Sequence, residues 1–284
     1  MSDTPTTAAL GGAVVTGAGR GLGREVARML TRLGYAVHLT DVDERLVDEA
    51  VAVVGEGCLG SVLDVRDGEA CRRVARETAA HAGSLALWVN NAGVLFTGPG
   101  WAQTEEQRRL TFEVNAMGTM NGTVAALDVM RPAGRGHVVN VVSLAGLIAI
   151  PGETVYSASK HAAIGYSLAT LSDLRRAGDR GVHISVVCPD GIWTPMIADK
   201  LDDPQAAVSF TGALLSTEQV VTAVERVVRR PRPVTAVPRW RGPQVRLFDL
   251  FPGLAVKAWP LVLRQGERNQ RRLARRLARG ESLP

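Results

Sequence analysis

Cysteine is scarce: Cys58, Cys71 and Cys188 are the only three in 284 residues, too few and too scattered for a disulfide framework. None pairs with a histidine at metal-ligand spacing, and His38, His81, His137 and His183 are scattered as well, so no metal site is assigned. The thiols read as buried groups in a reducing, cytoplasmic setting. Met1-Ser2-Asp3-Thr4-Pro5 lacks a basic start followed by an apolar stretch and reads as a disordered leader, not a signal peptide. Long apolar runs are missing too. The nearest, Val245–Leu263, is broken by Asp249, Pro252, Lys257 and Pro260 and is too interrupted to span a membrane. There is no internal repeat, and no low-complexity tract before residue 230.

What is present suits an α/β protein: 46% hydrophobic residues and 30 glycines, enough for a large core and many tight turns. Short apolar strands are expected at Ala13–Thr16, Ala36–Thr40, Cys58–Leu63, Leu85–Val89, His137–Val142, His183–Cys188 and Val234–Val237. Helical patterns lie between them, including a long helix around Glu105–Met130 and another from Tyr156 to about Ala177. The alternation predicts a Rossmann-type, doubly wound parallel sheet of about seven strands with helices on both faces. Ligands gather at the carboxyl ends of such strands. The polar residues with the most chemistry stand at those ends.

In Thr16-Gly17-Ala18-Gly19-Arg20-Gly21-Leu22-Gly23, glycines allow a tight strand-to-helix turn and close approach of a pyrophosphate to helix N–H groups. Asp41, eighteen residues beyond Gly23, could accept the ribose hydroxyls of an adenosine and repel a 2′-phosphate. It competes with Asp43 as the cap of the next helix. Arg20 pulls toward NADP, but the acid weighs more, so NAD is expected and NADP kept possible. Further on, Tyr156 and Lys160 fall one turn apart on a helix face. A phenol ordinarily ionises near pH ~10. An ammonium beside it is expected to favour the phenolate and allow proton exchange with an alcohol or carbonyl. His161 points off that face and reads as structural.

Together these residues resemble the short-chain dehydrogenase/reductase family, in the form with a core of roughly 250 residues. The resemblance covers about residues 10–238. It is carried by the glycine turn, Asp64-Val65, Asn90-Asn91-Ala92-Gly93, Asn115, Ser143, Tyr156-Ser157-Ala158-Ser159-Lys160 and Pro189 through Thr194. It implies Tyr156 as general acid/base, Lys160 lowering its pKa and holding the nicotinamide ribose, and Ser143 hydrogen-bonding the substrate oxygen. By the same resemblance Asn115 holds a water linking Lys160 to solvent. Gly17, Arg20, Gly21, Leu22, Gly23 and Asp41 bind the cofactor, Asp64 and Val65 address the adenine, and Asn91, Ala92 and Gly93 the adenosine side. Ile192 and Thr194 meet the carboxamide. One departure stands out. Asp190 occupies a position where the family commonly has glycine, and it reads as a tolerated variant.

The segments expected to line the substrate end, Val94–Thr97, Leu144–Glu153 and Trp193 into Met196–Phe210, are mostly apolar and offer no arginine or lysine fork. A hydrophobic alcohol, ketone or aldehyde (lipid-, retinoid-, steroid- or aromatic-like) fits better than a sugar. A dinucleotide-binding sensor without turnover and a sugar-nucleotide epimerase or dehydratase remain as alternatives. The glycine spacing and the lack of a larger C-terminal substrate domain argue against the second. The chain divides into a catalytic domain, 1–238, expected to form a homodimer or homotetramer, and an extension, 239–284. Residues 1–225 carry 18 basic and 25 acidic side chains, a net −7, whereas 226–284 carry 15 and 3, a net +12. An aromatic, apolar stretch followed by six arginines in Gln265–Arg279 fits three readings: a peripheral membrane contact, a subunit or substrate lid, or a solvated basic helix. Nucleic acid is not expected, since no aromatic-interleaved basic groove accompanies the arginines.

Overall fold

A computed structural model of the chain describes residues 10–280 apart from 56 and 213. The leader Met1–Pro5 lies outside the described residues. Seven strands form one sheet: β1 (Gly12–Thr16), β2 (Ala36–Asp41), β3 (Leu59–Val62), β4 (Leu85–Asn90), β5 (Gly136–Val141), β6 (Val182–Pro189) and β7 (Val234–Val237). All pair in parallel, in the order β3-β2-β1-β4-β5-β6-β7. Strand alternation sorts the core onto two faces. Ala13 and Val15 of β1, with Val37, Leu39 and Val89, pack on helices α1 (Gly21–Leu33), α2 (Glu44–Val54) and α8 (Thr217–Arg229). Val14, Trp88 and Val138 turn the other way, onto α3 (Gly68–Ala82), α5 (Gly118–Met130) and the end of α6 (Thr154–Ala177).

The long helix expected over Glu105–Met130 is present and carries a π turn within it: α4 (Glu105–Phe112), the wide turn Glu113–Met117, and α5 follow one another without a break. Asn115 lies in that wide turn, fully buried. Its side chain accepts the Val94 N–H at 2.8 Å and donates to the Val94 carbonyl at 2.9 Å and to Ser159 Oγ at 3.1 Å. Those bonds anchor the wide turn to the loop after β4 and to α6, where an inserted residue commonly serves a site.

Beyond β6 the chain builds a cap from α7 (Pro195–Ala198) and a 3₁₀ segment, Pro204–Phe210. The extension supplies α9 (Arg241–Asp249) and α10 (Pro252–Ala278). Ala255, Gly266 and Gln270 form the buried side of α10. A Cβ on Gly266 would lie 2.0 Å from the Ala207 carbonyl oxygen, so helix and cap touch backbone to backbone. Gln270 donates to the Asp203 carbonyl at 2.8 Å, and Asn269 to that of Phe210 at 2.8 Å. No helix among the described residues is long and apolar enough to cross a membrane. Cys71 and Cys188 are buried as expected, but Cys58 is only half-buried at the mouth of β3. His38 is held between Thr78 and Ser61 and His137 bonds Ser185, which makes both structural.

Candidate active site

Strand order reverses between β1 and β4, and loops leaving a reversal point part to form a crevice. A cavity of about 510 Å³ opens there. Every residue expected to bind cofactor or do chemistry lines it except Asn115, which is buried behind the lining.

At the cofactor end the glycine turn is packed tight below and open above. A Cβ on Gly17 would lie 2.7 Å from Ala92 Cα, and one on Gly23 2.2 Å from the Gly17 carbonyl oxygen. At Gly21, with φ of 57°, a Cβ would meet nothing nearer than 3.9 Å, so the turn needs glycine there for its backbone, not for space. Side chains of Asp43, Asp67, Thr104 and Ser216 cap α2, α3, α4 and α8. Helix α1 has no side-chain cap and no acid in its first turn. Its N–H groups and positive dipole end are therefore left for a ligand, and a dinucleotide pyrophosphate fits them.

Asp41 Oδ2 accepts the Gly19 N–H at 3.0 Å, which ties the carboxylate to the turn. Its competing role as a cap is taken by Asp43, which accepts the Leu46 N–H at 3.3 Å. Arg20 stays exposed on the lining. Arg66, which the sequence did not single out, clasps Asp64 through Nε at 2.9 Å and Nη2 at 2.6 Å and holds that carboxyl below its usual range. Asn91 turns its side chain toward the glycine turn: Nδ2 donates to the Thr16 and Gly17 carbonyls at 3.1 and 3.0 Å. Thr16 Oγ1 accepts both the Asn91 and Ala92 N–H groups at 3.0 and 3.1 Å. Asn91 thus braces the glycine turn.

Tyr156 and Lys160 project from the first turns of α6, with Lys160 Nζ 5.4 Å from the centre of the tyrosine ring. Gly93 closes this corner, since a Cβ there would lie 3.2 Å from Asn115 Oδ1 and 3.5 Å from Lys160 Nζ. Ser143 follows β5; its Oγ accepts the Ala145 N–H at 3.1 Å, and its hydroxyl lines the cavity with the Tyr156 phenol. The electrostatics differ from the sequence expectation. Burial pushes the Tyr156 phenol above its ordinary value, Glu153 adds to the rise, and only Ser143 opposes it. Burial also lowers Lys160 to about 8. Proximity of the ammonium does not offset the cost of a phenolate in this apolar cleft.

Two further acids belong to the site. Asp190, at the position expected to hold glycine, pairs with Arg241 Nε of α9 at 2.7 Å, and both side chains are largely buried. Arg241 lines the cavity, a cation that the three apolar segments did not reveal, but Asp190 and Gln244 occupy its guanidinium. Glu153, three residues before Tyr156, is buried on the lining and accepts a bond from Ser209 of the cap. Burial raises its carboxyl to about 7. Ile192 bridges to Leu215, and Thr194 precedes α7; both line the cavity beside Gly191. The remainder of the substrate end is apolar: Leu95, Leu144, Ile148, Ile150, Met196, Ile197, Val208 and Val245.

Comparison with known proteins agrees with this geometry. A family model described as short chain dehydrogenase matches residues 12–205. Estradiol 17-beta-dehydrogenase 11 of Mus musculus is 31% identical over 234 residues, covering 76% of this chain and 78% of the relative. Cyclopentanol dehydrogenase of Comamonas testosteroni is 34% identical over 205 residues, covering 71% and 81%. A short chain dehydrogenase/reductase from Burkholderia phymatum, solved in complex with NAD, superposes with a TM-score of 0.77 at 28% identity, covering 87% of this chain and 96% of that one.

Proposed function

Because the chain belongs to the short-chain dehydrogenase/reductase family, NAD(P)-dependent enzymes acting on CH–OH groups, we propose that it is an NAD-preferring dehydrogenase/reductase of hydrophobic alcohols, ketones or aldehydes. The observation that carries this reading is the meeting, in one cavity, of Tyr156, Ser143 and Lys160 with the uncapped N-terminus of α1 and an apolar lining. The nicotinamide, when bound, supplies or accepts the hydride. Ser143 and Tyr156 orient the substrate oxygen, and Tyr156 takes its hydroxyl proton in oxidation and returns it in reduction. Lys160 holds the ribose, and Asn115 fixes the loop after β4 against α6 so that Lys160 stays in register. Asp41 sets the NAD preference through its charge.

The names of the relatives support an alcohol-bearing apolar substrate: one acts on estradiol by its name, another on cyclopentanol. A screen of hydrophobic alcohols, followed by NADH absorbance, tests the reading. Turnover that depends on Tyr156 is expected. If no alcohol is oxidised and no ketone or aldehyde reduced, the sensor alternative replaces it.

The proposal extends to residues 1–238 as the catalytic unit of a homodimer or homotetramer, and to the extension as a peripheral membrane contact. Leu254, Lys257, Leu261, Arg264 and Arg268 fall on one outward stripe of α10, opposite the side that packs on the cap.

A further inference from the structure

Glu153 holds the N-cap position of α6, and its side chain makes no cap bond. It is 3% exposed and points into the substrate end, where Ser209 Oγ donates to Oε1. Ser209 is its one side-chain partner among the described residues, so the rest of the carboxyl's hydrogen-bonding capacity is unspent. The backbone that carries the acid is held in place. Gly152, at φ of 82°, would place a Cβ 2.1 Å from the Gln205 carbonyl oxygen, and Gly98 donates to the Gly152 carbonyl at 2.7 Å. Thr97 is in turn hydrogen-bonded to Asp203 at the head of the cap. Glu153 is therefore clamped between the loop after β4, the catalytic helix and the cap. Besides Ser209, the polar groups on this lining are Ser143, Tyr156 and Lys160 and the paired Asp190 and Arg241; the rest is apolar, so an apolar substrate that closed over Glu153 without offering it a partner would bind at a cost.

We propose that Glu153 is a specificity-determining residue whose carboxylic acid donates a hydrogen bond to a second oxygen function of the substrate, carried on the same apolar skeleton as the carbon that exchanges hydride. The substrate class is then a hydrophobic diketone, hydroxyketone or diol rather than a simple alcohol. The inference rests on the oxidoreductase reading of the site and narrows it. The surroundings hold the carboxyl protonated in mild acid, up to about pH 7. Burial is the main cause, the Ser209 hydrogen bond opposes it, and Asp190 and Asp203 add to the rise; of the cations lining the same cavity, Lys160 and Arg241 stand at this end and Arg20 and Arg66 at the cofactor end. Neutrality also helps catalysis, because an ionised Glu153 raises the proton affinity of Tyr156.

The test compares NADH-dependent reduction of matched pairs at pH 6: cyclohexanone against cyclohexanedione, and a steroid monoketone against the diketone of the same skeleton. For at least one pair the wild type is expected to favour the diketone at least tenfold in kcat/KM, through KM. Glu153→Leu should abolish that ratio. Glu153→Gln, which keeps a donor, should retain it. As pH rises past about 7 the wild-type ratio should fall while that of Glu153→Gln stays level. Should Glu153→Leu fail to bind NADH, Ser209→Ala carries the test, since loosening the clamp should lower the same ratio. Equal use of mono- and diketone by the wild type in both pairs overturns the inference, as does a ratio that survives Glu153→Leu or Ser209→Ala. Failure of the wild type to reduce any of the four ketones, with NADH bound, overturns the oxidoreductase reading itself and the inference with it.

Discussion

Tyr156 and Lys160 share a helix turn, but burial, more than proximity, governs their protons: the phenol is raised and the lysine lowered to about 8. For Tyr156 to pass a proton near neutral pH, its charged form must be stabilised by what lies above the ring, which places Ser143 and the bound cofactor in the same step. Tyr156→Phe keeps the ring packing and removes the proton. Turnover should fall roughly a thousandfold, within the range of general acid/base contributions, with NAD affinity little changed by fluorescence titration. Retained turnover would move the proton to another group. Asp41 makes a different residue-level argument. Its carboxylate is fixed by the Gly19 N–H and freed from capping by Asp43, so its charge is directed at the cofactor end of the cavity. Asp41→Ala should raise the NADP-to-NAD ratio of kcat/KM by about tenfold or more, because a like charge no longer opposes the 2′-phosphate. A wild type that already prefers NADP would show that Arg20 dominates.

Among the elements, what was legible in sequence is what depends on spacing. The strands fall within a residue or two of expectation because short apolar runs, buried on both faces, are bounded by glycines and strand-end polar residues. The glycine turn, Asp41, Ser143 and the Tyr156–Lys160 turn were readable for the same reason. What was hidden depends on contacts between distant segments. The π turn at Asn115 arises from bonds to Val94 and Ser159, and no local signal in Glu113–Met117 announces it. Arg241 is 51 residues from Asp190, and only the docking of α9 brings them together. That pair supplies an element-scale prediction. Arg241→Met leaves Asp190 buried without its cation, which should cost about 2–3 kcal/mol at neutral pH, near the lower edge for a broken buried pair. The Asp190 carboxyl is already raised by burial, with Arg241 opposing. Its folded pKa in the variant therefore lies further above the unfolded value. Stability is fully present below the ordinary carboxylate range and is lost as pH rises through the folded pKa. Thermal melts of the variant should approach the wild type in acid and fall away toward neutrality, and Asp190→Gly with Arg241→Met should abolish that slope. A pH-independent loss would mean that Arg241 acts through packing alone.

At the scale of the whole molecule, charge and apolar surface are segregated. The body to residue 225 carries −7 and the remainder +12, so positive charge is concentrated in the C-terminal segment. The extension is also integral to the cap: Gln270, Gly266 and the Asp190–Arg241 pair tie α9 and α10 to the substrate end. Removing residues after Trp240, an obvious test from sequence, would therefore strip buried contacts and confound binding with folding. Outward positions offer a cleaner test. Leu250, Leu254 and Leu261 are 72%, 67% and 68% exposed, and Lys257, Arg264 and Arg268 lie near them. Inserting such leucines at a bilayer interface stabilises the bound state by up to about 1.5–3 kcal/mol each, and each basic residue near an anionic surface adds about 1 kcal/mol. The wild type should co-sediment with vesicles containing phosphatidylserine, more weakly at high salt, and poorly with phosphatidylcholine alone. Leu250→Glu, Leu254→Glu and Leu261→Glu together should reduce that binding at least tenfold while leaving the melting temperature and the retention of NAD unchanged. If the triple variant instead dissociates an oligomer and binds vesicles as before, the stripe is a subunit interface.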